Sequence, residues 1–401
     1  MKVVTDEKKI DEVLDRSVVA LYPSREVLRE VLLSGKKLRI YNGIDPTGSL
    51  HIGHGVVLRK LRQFQDLGHE VIVLIGDFTA RIGDPTDKTA TRKKLSKQEV
   101  EKNTIGYKKL IGKILDIKKS NIRFLHNEKW TNKLKPEDLL DLASHFTVSQ
   151  LLERDMFQNR IKEGKEIYLH EFLYPVFQAY DSVTMDVDME IGGNDQTFNM
   201  LAGRTLMRKM KNKEKFVLTT KLLTDPNGKK MGKTEGNMIN LDEVPENMYG
   251  KVMSWPDELL GVGFEICTDI SMLEVGKIKE SLALGEVNPR DLKMKLAHEI
   301  VKIYHGEKKA QEAEKNFINT FQKKEIPETM EEIKANVGEL LSEVLVKNKI
   351  LTSKGEWRRL VLGNGVHDLE KNGDITDQNM KVAENLKLKI GKKRFVKVLV
   401  S

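Results

Sequence analysis

The chain has 401 residues, 39% apolar, 32% charged and 6% aromatic, a balance that excludes wholesale disorder and suits about two to four domains. Its longest apolar stretch, Val71 to Ile75, is far shorter than the roughly 20 residues that cross a bilayer. The excess of 68 Lys and Arg over 60 Asp and Glu leaves a net charge of +8, which points to a polyanionic partner without establishing one.

The N-terminus, MKVVTDEKKIDEVL, is interrupted by charges before any apolar region forms, so it does not read as a secretory leader. The lone Cys267 rules out an internal disulfide and a Cys-rich zinc site, and it reads as a small buried apolar side chain. Both features lead to a cytoplasmic expectation. SREVLREVLL predicts a helix capped by Ser24 and ended near Gly35, followed by an extended run from Leu38 to Ile44. After a Gly-rich turn, Val57, Leu61, Phe64 and Leu67 recur at helical spacing, and VIVLIG follows as a strand buried on both faces. Strand, helix, strand predicts a right-handed crossover in a Rossmann-like, doubly wound parallel sheet, with ligand-binding loops at the carboxyl ends of the strands. MDVDMEIGG and FVLTTKLLT read as later strands, with a helix from Asn194 to Met210 between them.

These features define an α/β catalytic domain over 1–240. A helical domain is expected over 241–322, a charged linker with Pro327 over 323–335, and a small α+β module over 336–401. Inside that module SKGEWRRLVLGNGV predicts a capped helix running into a Gly turn, and LKLKIGKKRFVKVLV predicts two strands around Gly391. The module carries 13 Lys and Arg against 8 Asp and Glu, so most of the excess positive charge lies in the last sixth of the chain. On charge alone, a solvated Lys-rich surface is the lesser alternative.

His51-Ile52-Gly53-His54 falls at the mouth of the first crossover helix. A Gly there lets a phosphate approach the positive helix N-terminus, and two imidazoles can donate hydrogen bonds to charge building on a phosphoryl group. Metal ligation is the weaker reading, since no third ligand follows at suitable spacing. Lys229-Lys230-Met231-Gly232-Lys233-Thr234 follows the turn Asp225-Pro226-Asn227-Gly228. Its paired lysines suit the β- and γ-phosphates of a nucleotide, although such a run taken alone is more often a solvated loop.

Together the two motifs resemble the HIGH and KMSKS signatures of class I aminoacyl-tRNA synthetases, the second in the form KMGKT. The resemblance narrows to the bacterial tyrosyl-tRNA synthetases, in their second branch, through ordered blocks along nearly the whole chain. These are Tyr41 to Leu50, Ile82 to Pro85, Tyr174 to Asp181, Gly192 to Gln196, and the S4-like run Ser353 to Leu360. Asn42 and Val57 stand where many members carry Cys and Thr, and Asn42 retains a hydrogen-bonding side chain.

The resemblance implies that Tyr41 and Asp181 hold the phenol of tyrosine, while Tyr174, Gln178, Asp84 and Gln196 hold its amine and orient its carboxylate. It assigns ATP to Gly43, Asp45, His51, Gly53, His54, Gly193, Asp195, Lys230 and Lys233. Neutralisation of the leaving pyrophosphate falls to His51, His54, Thr47, Lys88, Arg92, Lys230, Lys233 and Thr234. Magnesium is expected with the ATP phosphates rather than in a protein cage. The resemblance also implies a homodimer built on a connecting insertion at about 121–165, and tRNA binding through Lys354, Arg358, Arg359, Lys392, Lys393 and Arg394. The expected activity is tyrosine–tRNA ligation, with no membrane association.

Three other readings share part of this pattern. A tryptophanyl-tRNA synthetase shares both signatures, but the Tyr41 and Asp181 pair and the basic tail argue against it. A small nucleotidyltransferase would not need lysines so far downstream. A non-catalytic RNA-binding protein would not need the intact motifs.

Overall fold

The computed structural model describes residues 2–84, 95–224, 238–321, 330–371, 373–391 and 394–400. Contacts divide the chain into two units, Met1–Val244 with Lys251–Glu307 and Pro245–Gly250 with Lys308–Ser401. No helix among the described residues is long and apolar enough to cross a membrane.

The first unit is built on six strands: β1 (Val18–Tyr22), β2 (Arg39–Ile44), β3 (Glu70–Ile75), β4 (Ile122–His126), β5 (Met189–Gly193) and β6 (Phe216–Thr220). Their order is β1-β6-β5-β2-β3-β4, parallel throughout except for β1. β3 (EVIVLI), β5 (MEIGG) and β6 (FVLTT) are almost wholly buried, as a sheet covered on both faces requires. The chain winds from β2 through β3 to β4 on one side, then crosses to β5 and β6 on the other. The strand order therefore reverses between β2 and β5, and their carboxyl ends open a crevice.

The helix Arg25–Leu33 starts at Ser24, whose hydroxyl accepts from the Val27 amide. The crossover helix spans Ile52–Asp66, but its buried face centres on Ile52, Val56, Leu58, Leu61 and Phe64, leaving Val57 half-exposed. The strand expected from Met185 begins only at Met189, because the helix Leu169–Met185 runs on until Asp186 caps it with φ 49. The strand expected to reach Thr224 ends at Thr220. Cys267 is buried, and loss of hydration pushes its thiol up to about 12, so it behaves as an apolar side chain.

Two strands of this six-stranded sheet escaped the sequence reading. β1 closes one edge by antiparallel pairing with β6, with a bulge between Val18 and Ala20. β4 lies inside the stretch expected to form the connecting insertion, and it pairs instead with β3 as the other edge of the sheet. Asn121 fastens its start, its amide donating to the carbonyls of Gln65 (3.0 Å) and His69 (2.8 Å). The part of that stretch outside the sheet, from Glu128 to Lys162, is a series of short helices.

The helices over 241–322 do not stand apart as the domain expected from sequence. Residues 251–307 join the α/β unit, where Gly55 of the crossover helix leaves room for the Tyr304 ring, and within them Gly263 accommodates Leu296 and Trp255. The expected linker is shorter than 323–335, since Glu331–Ala335 forms a strand, β7. In the second unit β7 pairs in parallel with β11 (Arg394–Val400), which pairs with β10 (Leu386–Ile390), followed by β8 (Val366–Asp368) and β9 (Gly373–Asp374). Alternating burial along LKLKI places Leu386, Leu388 and Ile390 on a core with Trp357, Val361, Val396 and Val398.

Candidate active site

The crossover helix begins where β2 has ended, and His51 is its N-cap. His51 Nδ1 accepts from the Gly53 amide at 3.1 Å, and His54 Nδ1 accepts from the His51 amide at 3.2 Å. Each neutral ring must then carry its proton on Nε2, so both imidazoles are set as N–H donors rather than metal ligands. Their centroids lie 4.0 Å apart at a positive helix end. A Cβ on Gly53 would sit 2.9 Å from His51 Cε1, so this Gly keeps the imidazole in its capping position. Across the crevice, a Cβ on Gly193 at the end of β5 would collide with Asp195 Oδ1 and Leu222 Cδ2. Gly43 in β2 is exposed, and a Cβ there would meet nothing within 4 Å, which leaves open space above the central strand.

The segment after residue 237 returns to this point. The Ile52 amide donates to Ile239 O and the Leu241 amide to Leu50 O, both at 2.9 Å, while Lys113 Nζ donates to Leu241 O at 2.7 Å.

Beside the helix mouth, Asp45 accepts from Thr79 Oγ1 at 2.7 Å and from the Tyr174 hydroxyl at 2.9 Å. Loss of hydration pushes the Asp45 carboxyl up to about 7 against those two hydrogen bonds, with Asp84 and Asp77 adding repulsion. Asp84 accepts from Gln196 Nε2 at 2.6 Å and faces Arg154 at 3.5 Å, and Gln196 Oε1 accepts from Asn199. Deeper in, Asp181 on the helix Leu169–Met185 accepts from Trp130 Nε1 at 2.7 Å and Asn127 Nδ2 at 3.1 Å. Burial pushes its carboxyl up to about 8 in spite of them. Tyr41 is fully buried and its hydroxyl meets Ser182 Oγ at 2.9 Å. Burial, with Glu190 and Asp181 nearby, raises the Tyr41 phenol well above its ordinary range, so it stays protonated. Gln178 Nε2 donates to Glu190 at 2.9 Å while its buried Oε1 has no partner among the described residues.

Residues 33–322 match the family model described as tRNA synthetases class I (W and Y). The chain is 42% identical to the tyrosine–tRNA ligase of Thermotoga maritima over 98% of both chains. It is 44% identical to tyrosine–tRNA ligase 2 of Clostridium acetobutylicum over 98% of this chain and all of that one. The chain belongs to the class I tyrosine–tRNA ligases. The fold likewise matches a C-terminally truncated mitochondrial tyrosyl-tRNA synthetase of Aspergillus nidulans at a TM-score of 0.64, with 24% identity, over 78% of this chain and 94% of that chain.

For a class I tyrosine–tRNA ligase, the structure describes only some of the residues that the motifs named. Asp45 bonds Tyr174 and reaches Asp181 through Thr79 and Asn127, Tyr41 reaches Gln178 through Ser182, Lys215 and Glu190, and Asp84 bonds Gln196. Gly43 lies in β2, His51, Gly53 and His54 at the start of the crossover helix, and Gly193 and Asp195 at and just after the end of β5. Thr47 is exposed in the turn between β2 and the crossover helix, its amide bonded to Asp45 O. Tyr41 and Asp181 do not bond each other, because each has its own partners. Asn42 is turned away from the crevice mouth, its amide donating to Ile191 O at 2.9 Å. Lys88, Arg92, Lys230, Lys233, Thr234, Lys392 and Lys393 lie outside the described residues.

Several site residues were missed from sequence: Thr79, Asn127, Trp130, Arg154, Ser182, Glu190 and Lys215. Two of them left a signal. Glu190 is a charge inside the apolar strand MEIGG, and Lys215 immediately precedes FVLTT, and neither is expected in a buried strand without a partner. Asn127 and Trp130 gave none, since their role depends on β4 joining the sheet.

Proposed function

We propose that this crevice activates L-tyrosine with ATP to tyrosyl-adenylate and pyrophosphate, and that the chain then transfers tyrosine to the 3′ end of tRNA(Tyr). The observation that carries the reading is the pair of backbone-capped imidazoles, His51 and His54, at a helix N-terminus beside a pocket of buried phenol, carboxyl and amide groups. The tyrosine carboxylate attacks the α-phosphorus and pyrophosphate leaves, so no protein nucleophile is needed. The protein positions the reactants and stabilises charge.

His51 and His54 donate through Nε2 to phosphate oxygens, with Thr47, Lys88, Arg92, Lys230, Lys233 and Thr234 completing the set around the leaving group. Gly43, Gly53 and Gly193 let adenosine and phosphates approach the backbone, and Asp195 receives the ribose. Tyr41 and Asp181 meet the phenol hydroxyl. Tyr174, Gln178, Asp84 and Gln196 receive the amine and orient the carboxylate, with Asp45 between amine and phosphates. Magnesium fits as an ion carried on the phosphate oxygens, where it neutralises charge, because the two imidazoles present N–H donors rather than lone pairs. Pocket polar groups left unpaired by phenylalanine account for selectivity. This very family is a standard illustration of that effect, with discrimination of about 10⁵.

The second unit is read as an S4-like tRNA-binding module. Lys354, Arg358 and Arg359 are exposed on the helix Lys354–Leu362, while buried Trp357 anchors it by donating to Gln378 O at 2.8 Å. Arg394 at the start of β11 reaches the Ile350 carbonyl, which orients it, and Lys392 and Lys393 belong to the same proposed patch. A cytoplasmic homodimer completes the reading, supported by exposed Leu140, Val148, Ile161 and Leu169 in the helices that follow β4.

ATP–pyrophosphate exchange with tyrosine, with tryptophan and with no amino acid tests the assignment. Exchange is expected with tyrosine alone, and Tyr41→Phe or Asp181→Asn should raise the tyrosine KM. Exchange driven by tryptophan, or unaltered in both variants, would sink it.

A further inference from the structure

Behind the pocket lies an ion pair that the proposed reaction does not use. Lys215 and Glu190 side chains are 0% and 3% exposed. Lys215 Nζ donates to Glu190 Oε2, to Ser182 Oγ at 2.9 Å and to Met200 O at 3.2 Å, which uses all three ammonium protons. Gly203 on the helix Thr197–Lys211 leaves the space, since a Cβ there would sit 2.4 Å from Nζ and 2.9 Å from Ser182 Oγ.

The pair has two arms. On one side, Ser182 Oγ takes the Lys215 proton and meets the Tyr41 hydroxyl at 2.9 Å, while Nζ lies 5.6 Å from the Tyr41 ring centroid. Whichever hydroxyl donates, the Tyr41 oxygen is held in place. On the other side, the second oxygen of Glu190 takes the Gln178 amide at 2.9 Å. An ionised carboxylate only accepts, so Gln178 must turn its NH2 toward Glu190, which leaves Oε1 as a buried acceptor unpartnered among the described residues. An acceptor is what a substrate ammonium requires.

We propose that Lys215 and Glu190 form a positioning pair that sets the hydrogen-bonding geometry at both ends of the tyrosine site, Tyr41 through Ser182 and Gln178 through Glu190. The inference rests on the pocket reading above. Stability alone gives weak reason for the pair, because apolar or neutral replacements of a buried ion pair are often neutral or stabilising. Desolvation lowers the Lys215 ammonium from its ordinary range and Glu190 opposes that shift, so the Lys215 charge leans on Glu190.

The test uses the full chain, with pyrophosphate exchange measured against L-tyrosine, L-phenylalanine and ATP for Lys215→Met/Glu190→Gln, Ser182→Ala and Tyr41→Phe. The double variant removes both charges together, so no lone buried charge remains. Its tyrosine KM should rise about 10- to 100-fold with the ATP KM within about twofold, and its preference for tyrosine over phenylalanine should fall by about tenfold or more. Ser182→Ala cuts only the Tyr41 arm and should lower the preference with a smaller change in KM. A merely structural pair would lower the melting temperature or the active fraction while leaving tyrosine KM and preference unchanged. That result in the double variant, or in Ser182→Ala should the double variant not fold, overturns the proposal. If Tyr41→Phe is also unchanged, the pocket reading itself has failed. If Tyr41→Phe alone loses preference, only the positioning pair falls.

Discussion

At the residue scale the pocket shows polar groups tuned by burial. Asp181 titrates near 8 in the folded chain against an ordinary 3.8, with loss of hydration the main cause. Between those values the folded state binds a proton that the unfolded state has lost, so this group's contribution to stability falls as pH rises through that window. Asp45, at about 7, acts in the same direction. Asp181→Asn removes one of these titrations, and its melting temperature relative to the parent chain should climb from about pH 5 to about pH 8. A flat difference across that range would mean that Asp181 is ionised in the folded chain.

His51 separates two roles in the same way. Its Nδ1 caps the helix, and its Nε2 is the atom proposed above to donate to phosphate. Asn at this position retains a capping acceptor, but its shorter side chain cannot place its NH2 donor where Nε2 lies. His51→Asn should therefore leave thermal stability nearly unchanged and slow adenylate formation by about 10- to 1,000-fold, the usual cost of losing one donor to a developing negative charge. Equal rates in exchange assays would remove His51 from the transition state.

At the element scale, close approaches set the site. Gly53→Ala would place a methyl 2.9 Å from the His51 imidazole. The ring can swing away, so the helix should persist while exchange slows by about tenfold or more through misplacement of the donor. Gly76, just after β3, is tighter, since a Cβ there would lie 2.0 Å from Asp45 Oδ1 and 2.5 Å from Thr79 Oγ1. Gly76→Ala should break the Thr79–Asp45–Tyr174 chain and weaken tyrosine binding, as titration calorimetry would report.

Single elements were read from sequence where one local signal sufficed. Buried β3 announces itself by an unbroken run of β-branched and Leu residues, and the crossover helix by its period and its Gly68 stop. β1, β4 and β7 were not read. Each is a five-residue segment whose strand character comes from a partner distant in sequence, β6 for β1, β3 for β4 and β11 for β7.

At the scale of the whole molecule, the division of labour between units is open to a direct test. Because β7 is paired along its length with β11, a truncation after residue 335 would leave an orphan strand. A chain ending before residue 330 removes the five-stranded sheet intact. It should retain tyrosine-dependent pyrophosphate exchange and lose most aminoacylation, as measured by charging of tRNA. Equal losses in both steps would show that the second unit is needed for activation as well.

The sequence by itself determined the family and the parallel α/β class, and it supplied the two motifs and the polar residues on which the proposed site rests, because each is carried by a short run of residues or by a local period. Tertiary structure alone decided which polar group answers which. Asp181 faces Trp130 and Asn127 rather than Tyr41, Tyr41 rests on Ser182, and Lys215 and Glu190 meet beneath them. Those pairings join residues from four separate stretches of chain. Their energies come from losing water together, and that loss exists only once the strands and helices have closed over them.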